Sequence, residues 1–261
     1  MSYYPILNAP GCHAWTTLSN FSPNNWETRD SSEKFVNVTW RSQTGWQTEN
    51  IGNLAPNEMR TVKSQEIAGL VPIDALPLLS LTIEKLPAHS DNLPRTDGPR
   101  TTAPAWRAAL GLSTASASTS YQGEIDPFPS QGSLLTFGPF IQFGEQIENY
   151  LIFLNIENSP TIRTSHVEVY DAEGTVLKGT FEVRNNNATV IALDNLGFDL
   201  SGLPLFICRS MAAIPLYFSK TTDGGFLSLE HTHPPASYVV HGRRWEAQKI
   251  LKNIWLSKAS N

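Results

Sequence analysis

Cysteine is scarce. Only Cys12 and Cys208 occur in 261 residues, too few and too far apart for a disulfide framework or a CxxC metal site, and both suit small buried positions. Charge is sparse too, at 16% of residues with a net charge of −5, so no global field draws the chain to nucleic acid or to an anionic membrane. No apolar run approaches the ~18 residues that a bilayer span needs. The opening Met1-Ser-Tyr-Tyr-Pro-Ile-Leu-Asn8 has neither a basic stretch nor a long apolar one, so a cytoplasmic protein is the expectation, or a secreted one if a leader precedes this sequence. Phosphate loops, dinucleotide fingerprints and Gly-x-Ser-x-Gly elbows are missing as well. Cys12 and His13, although adjacent, diverge on an extended strand and do not make a nucleophile and base.

Turn formers and strand formers are abundant: 17 Gly, 18 Pro and 10% aromatics. That balance points to an all-β chain. Tyr150 to Ile156 is a continuous apolar run, too short for an ordinary helix, and reads as a strand buried on both faces. His166 to Asp171 alternates, with Val167 and Val169 opposed to His166, Glu168 and Tyr170. Turn signals at Asp171–Gly174 and Asn185–Asn187 bracket an extended segment from Thr175 to Arg184. Further short runs follow at Thr189–Leu193, Leu205–Arg209, Ile214–Phe218 and Phe226–His233. Short strands at near-regular spacing are the pattern of an antiparallel sandwich.

Leu151 to Asn155, Val169-Tyr170-Asp171 with Gly174, Thr189 to Leu193 and Ala213-Ile214-Pro215-Leu216 together resemble the immunoglobulin-like sandwich modules of bacterial surface proteins. The resemblance covers about a third of the chain. It implies a scaffold of adhesive or spacing type and carries over no catalytic residue, since one sandwich hosts many functions.

The first half repeats the pattern. Phe35 to Trp40 alternates, with Val36, Val38 and Trp40 on one face, and a proline-led turn at Ala55–Glu58 leads to a second alternating segment from Met59 to Ile67. Long strand, polar turn and returning strand here parallel Thr175 to Leu193 and hint at two similar modules. Prolines at 72 and 77 deny a helix to the apolar stretch Ile73–Leu86. From Pro87 to Ser120 the composition is that of an irregular connector, with a short helix expected over Trp106–Leu112. The expected organisation is therefore two immunoglobulin-like antiparallel β-sandwich domains, 1–100 and 101–261. Gly132 to Phe143 supplies a strand pair, and Trp245 to Ser257 forms a C-terminal amphipathic helix with Ala247, Ile250, Leu251 and Ile254 along one stripe. That stripe suits a sheet edge or a second subunit.

Candidate sites are few. In Tyr121-Gln-Gly-Glu-Ile-Asp126, Glu124 and Asp126 share a side if the chain is extended, and paired carboxylates can hold a cation or sugar hydroxyls, although a solvated loop explains the same residues. With Arg209 they make a ligand-binding set of Tyr121, Glu124, Asp126 and Arg209. His231 and His233, two apart on a strand, face one way, and His241 on the returning strand completes a three-nitrogen metal set with Glu124 or Glu230 as the carboxylate. A change of one residue in register turns His241 away. Two functions stand at this point. One is a non-catalytic binding or assembly protein without a cofactor, contacting a glycan or a protein. The other is an enzyme using a divalent transition metal on a small polar substrate such as a sugar.

Overall fold

Period-two hydrophobicity is realised as antiparallel sheet through most of the chain. The structure is a computed structural model that describes residues 2–20, 32–95, 109–123, 125–130, 135–137, 141–171, 173–197, 204–231 and 257. It is 52% strand and 5% helical, with several antiparallel sheets and, among the described residues, no closed barrel.

The first ten elements are β1 (Tyr4–Pro5), β2 (His13–Ser19), β3 (Lys34–Arg41), β4 (Trp46–Leu54), β5 (Met59–Lys63), α1 (Ser64–Ile67), β6 (Leu78–Thr82), β7 (His89–Ser90), β8 (Ala109–Ser113) and β9 (Ser118–Gln122). They make two sheets, β1-β6-β3-β4-β7 and β5-β2-β8-β9. After them come β10 (Leu135–Phe137), β11 (Ile147–Asn155), β12 (Thr164–Tyr170), β13 (Leu177–Arg184) and β14 (Asn187–Ala192). A 3-10 turn (Leu193–Leu196), β15 (Leu205–Cys208), β16 (Ile214–Thr221) and β17 (Leu227–His231) complete the series. These strands form β10-β15-β12-β13 and β14-β11-β16-β17.

The two halves share one strand order. With the two-residue β7 set aside, β1-β6-β3-β4 corresponds strand for strand to β10-β15-β12-β13, and β5-β2-β8-β9 to β14-β11-β16-β17. The turns agree in detail. Asn57 follows β4 with φ 64° and Asn186 follows β13 with φ 51°, both using the tolerance of asparagine for the left-handed region to return the chain to the other sheet. A helical turn then follows the fifth strand of each half, α1 in one and Leu193–Leu196 in the other.

In the second half Val167, Val169 and Phe206 of one sheet meet Leu151, Phe153 and Tyr217 of the other in a single apolar cluster. The opposite face of β11 and β16, with Ile152, Leu154, Leu216 and Phe218, joins the cluster built by the first half. That is why Tyr150–Ile156 is apolar without alternation: β11 is buried on both sides. In the first half Val36, Val38 and Leu79 are fully buried, and so are Asn37, Thr39 and Ser80 on the other face of the same sheet.

Several expectations change. Ala109–Ser113 is strand, not the end of a short helix over Trp106–Leu112, because β2 and β9 offer ladders on both sides of it and a helix of about two turns has no such gain to offset its nucleation cost. The stretch from Pro87 to Ser120, read as an irregular connector, contains β7, β8 and part of β9. Both β8 and β9 follow residue 100, yet β8 pairs with β2, which precedes it. Of Gly132–Phe143, strand is described only for Leu135–Phe137. The helix expected over Trp245–Ser257 lies outside the described residues except for Ser257.

Candidate functional site

Among the residues singled out from sequence, Tyr121 and His231 come together. Tyr121 on β9 and His231 on β17 place their ring centroids 4.3 Å apart with planes inclined at 55°. Each strand is the outermost of its sheet, so the contact joins the edges of the two halves. Asp126 is half-buried in the link that follows β9, where the neighbouring Ile125 bridges to Tyr3. Glu124, its expected partner, lies outside the described residues.

Arg209 is engaged elsewhere. Its Nε donates to both carboxylate oxygens of Glu168, at 2.9 and 3.0 Å, and the Tyr170 hydroxyl donates to Glu168 Oε2 at 3.1 Å. The Arg209 guanidinium holds the Glu168 carboxyl below its ordinary range. His233 and His241 lie outside the described residues, and among the described ones no group of three or more His, Cys, Asp or Glu is gathered as a metal would require.

Two further polar centres went unnoticed in the sequence. Glu157, 1% exposed at its side chain, forms an ion pair with Arg163 Nη2, accepts from Arg163 Nε at 3.2 Å and accepts from Asn185 Nδ2 at 3.1 Å. This network fixes the turn at Glu157–Pro160, whose carbonyls serve the first half: Asn158 O accepts from Trp46 Nε1 at 3.0 Å and from the Leu93 amide at 2.8 Å, and Pro160 O accepts from Arg41 Nε at 2.7 Å. The role is one of fastening, since every partner is satisfied within the protein.

At the other centre, Lys220 Nζ lies 2.6 Å from Glu148 Oε2, and the Tyr150 hydroxyl donates to the same oxygen at 2.8 Å. The hydrogen bond from Lys220 lowers the Glu148 carboxyl from its usual value. Burial, with the Glu148 contact added, pushes the Tyr150 hydroxyl up to about 12. Cys12 lies in range of Lys220, but burial outweighs that cation and raises its thiol. A protonated thiol and an ion-paired carboxylate are poor nucleophile and base respectively.

A concave site is also present among the described residues. A cavity of about 240 Å³ opens between the β1–β2 connection and the segment after β5, lined on its apolar side by Ile6, Ile67, Val71 and Ile73. Pro72 and Pro77 also line it, and they keep this segment from extending α1. Ile6, Ile67 and Val71 are buried, whereas Ile73 is 94% exposed. His13 and Gln65 supply polarity to the lining, with Gln65 Nε2 2.5 Å from His13 Nδ1. Ser64 Oγ donates to Gln65 Oε1 at 3.4 Å, which orients the amide. The only sequence signal for this cavity was the proline-broken apolar stretch, and it does not reveal which aliphatic side chain turns outward.

Comparison with known proteins finds no matching family model, no matching curated protein and no matching solved structure.

Proposed function

We propose that this chain is a non-catalytic binding or assembly protein built from two β-sandwiches, and that its cavity beside α1 receives an aliphatic side chain of a protein partner. The observation that carries the reading is Ile73, 94% exposed at the rim of a cavity whose floor is aliphatic. An exposed aliphatic side chain next to a ready apolar pocket is the form of an interface anchor, in which a buried centre gives the energy and a polar rim the orientation. His13 and Gln65 supply that rim.

A protein partner is favoured over a glycan by the cavity lining, since Ile6, Ile67, Val71 and Ile73 suit an aliphatic side chain better than sugar hydroxyls. The sandwich reading is supported by the shared cluster of the two sheets in the second half. Its immunoglobulin-like character is supported by the pairing of β11 with β14 in one sheet and β12 with β15 in the other, the adjacency that the second and fifth, and the third and sixth, strands have in such folds.

The test is a random peptide library and a glycan array screened in parallel against the full chain. Peptides with a single Leu, Ile or Met anchor should be selected. Ala68 is an exposed residue of the cavity lining, and binding should be lost on Ala68→Phe, which fills the cavity from its rim, and weakened on Ile73→Asp. Glycan binding indifferent to both substitutions, with no peptide selected, would refute the proposal.

A further inference from the structure

We propose that β13 is a homodimerisation edge, pairing antiparallel with β13 of a second copy about a twofold axis at Thr180. The comparison of the halves carries this. In the first half the corresponding strand, β4, has the start of its outer edge covered by β7, with Trp46 opposite Ser90 and Gln47 opposite His89, and the Thr48 amide donates to Ala88 O at 3.0 Å. In the second half β13 is the end of its sheet, and among the described residues nothing pairs with its outer edge. The fold thus accepts an antiparallel strand at the start of this edge, and among the described residues the second half has none there. An open eight-residue edge offers unpaired amides and carbonyls to any strand of compatible register.

The strand complements itself over seven of its eight residues when Thr180 lies on the axis. Placing Thr180 on the axis sets Lys178 opposite Glu182 of the second copy, twice per interface. Leu177 then meets Val183 and Gly179 meets Phe181, so that glycine is covered by an aromatic ring. Shifting the axis to Phe181 sets Lys178 against Arg184, and shifting it to Glu182 sets that carboxylate against itself, both repulsive. Val176 and Leu177, 50% and 51% exposed, are consecutive aliphatic residues at the start of this edge, and the second copy would cover them. A bulge in the β12–β13 ladder pairs Val169 with Gly179 and Tyr170 with Leu177. It leaves Lys178 outside that ladder, its backbone groups available to a new neighbour. Within one chain, among the described residues, Glu182 makes an exposed contact with Arg184 at 3.1 Å, which costs little to exchange.

Sedimentation velocity of the full chain over a concentration series tests the proposal, with far-UV circular dichroism as the check on folding. A monomer–dimer equilibrium is expected. Lys178→Glu and Glu182→Lys should each weaken it about tenfold or more, because two attractive contacts become repulsive, and the double variant should regain wild-type association. In a Cys12→Ser background, Thr180→Cys should form a disulfide-linked dimer under oxidised glutathione while Glu182→Cys does not, since only the residue on the axis meets its own copy. A chain that stays monomeric up to about 1 mM, or a dimer indifferent to both single charge reversals, overturns it.

Discussion

In the first half the sheet β5-β2-β8-β9 turns Trp15, Thr17 and Thr61 outward, with Thr17 and Thr61 joined by a hydrogen bond at 2.7 Å in an exposed position. Its counterpart β14-β11-β16-β17 turns Ile152, Leu154, Leu216 and Phe218 outward, and all four are buried with the first half. Strand order, turn conformation and the helical turn after the fifth strand are held in common, while the chemistry of this face is reversed. A sheet topology depends on inward-facing residues and turns, so the outer face is free to be wettable in one half and adhesive in the other.

The comparison breaks most readily at Phe218. Phe218→Ala is expected to cost about 3–5 kcal/mol in urea denaturation, as a fully buried aromatic leaves a cavity, whereas Trp15→Ala on the corresponding sheet should cost only about 1–2 kcal/mol because its ring is half-exposed. Equal losses would mean that the two faces are equivalent after all.

The turns after β4 and β13 sharpen it next. Asn20 holds the first by neutral hydrogen bonds, its side-chain Nδ2 donating to Leu54 O at 2.9 Å and its backbone carbonyl accepting from the Asn57 amide at 2.8 Å. A buried carboxylate, Glu157, holds the second. Arg163→Ala should therefore destabilise by about 3 kcal/mol, at the low end for a broken buried pair because the guanidinium is one-third exposed. Asn20→Ala should cost about 1–2 kcal/mol, both read from the same denaturation curves.

The smallest effect has the opposite sign. Ser80 Oγ on β6 is buried with no hydrogen-bond partner among the described residues, while Ile207 on β15, the corresponding strand, is buried among apolar neighbours. Ser80→Ala should raise the thermal midpoint, with a gain of about 1 kcal/mol from removing an unsatisfied hydroxyl.

Much of the strand content was legible because alternation reports one buried face directly. Val167 and Val169 declared their inner side, and Tyr150–Ile156 declared that it had no outer one. What escaped reading depends on partners distant in sequence. Ala109–Ser113 resembles a helix until β2 is known to lie beside it, and Thr39 and Asn37 look solvent-facing although the fold covers them. The candidate site was less legible still. Tyr121 and His231 were noticed for their chemistry, not for their contact, which arises where two sheet edges meet across a separation of more than a hundred residues. The Glu157 network had no local signature, because Arg163 and Asn185 reach it through a turn and a neighbouring strand.

Among the described residues no sheet ladder crosses the stretch from 123 to 134, so the chain can be severed there on paper without breaking a hydrogen-bonded sheet among them. The freed C-terminal piece would nonetheless bring Ile152, Leu154, Leu216 and Phe218 into contact with water as one greasy wall. Producing the pieces separately should therefore yield aggregates that dissolve only in detergent or on co-expression, which makes the pair a single unit of folding despite its two hydrogen-bonded parts.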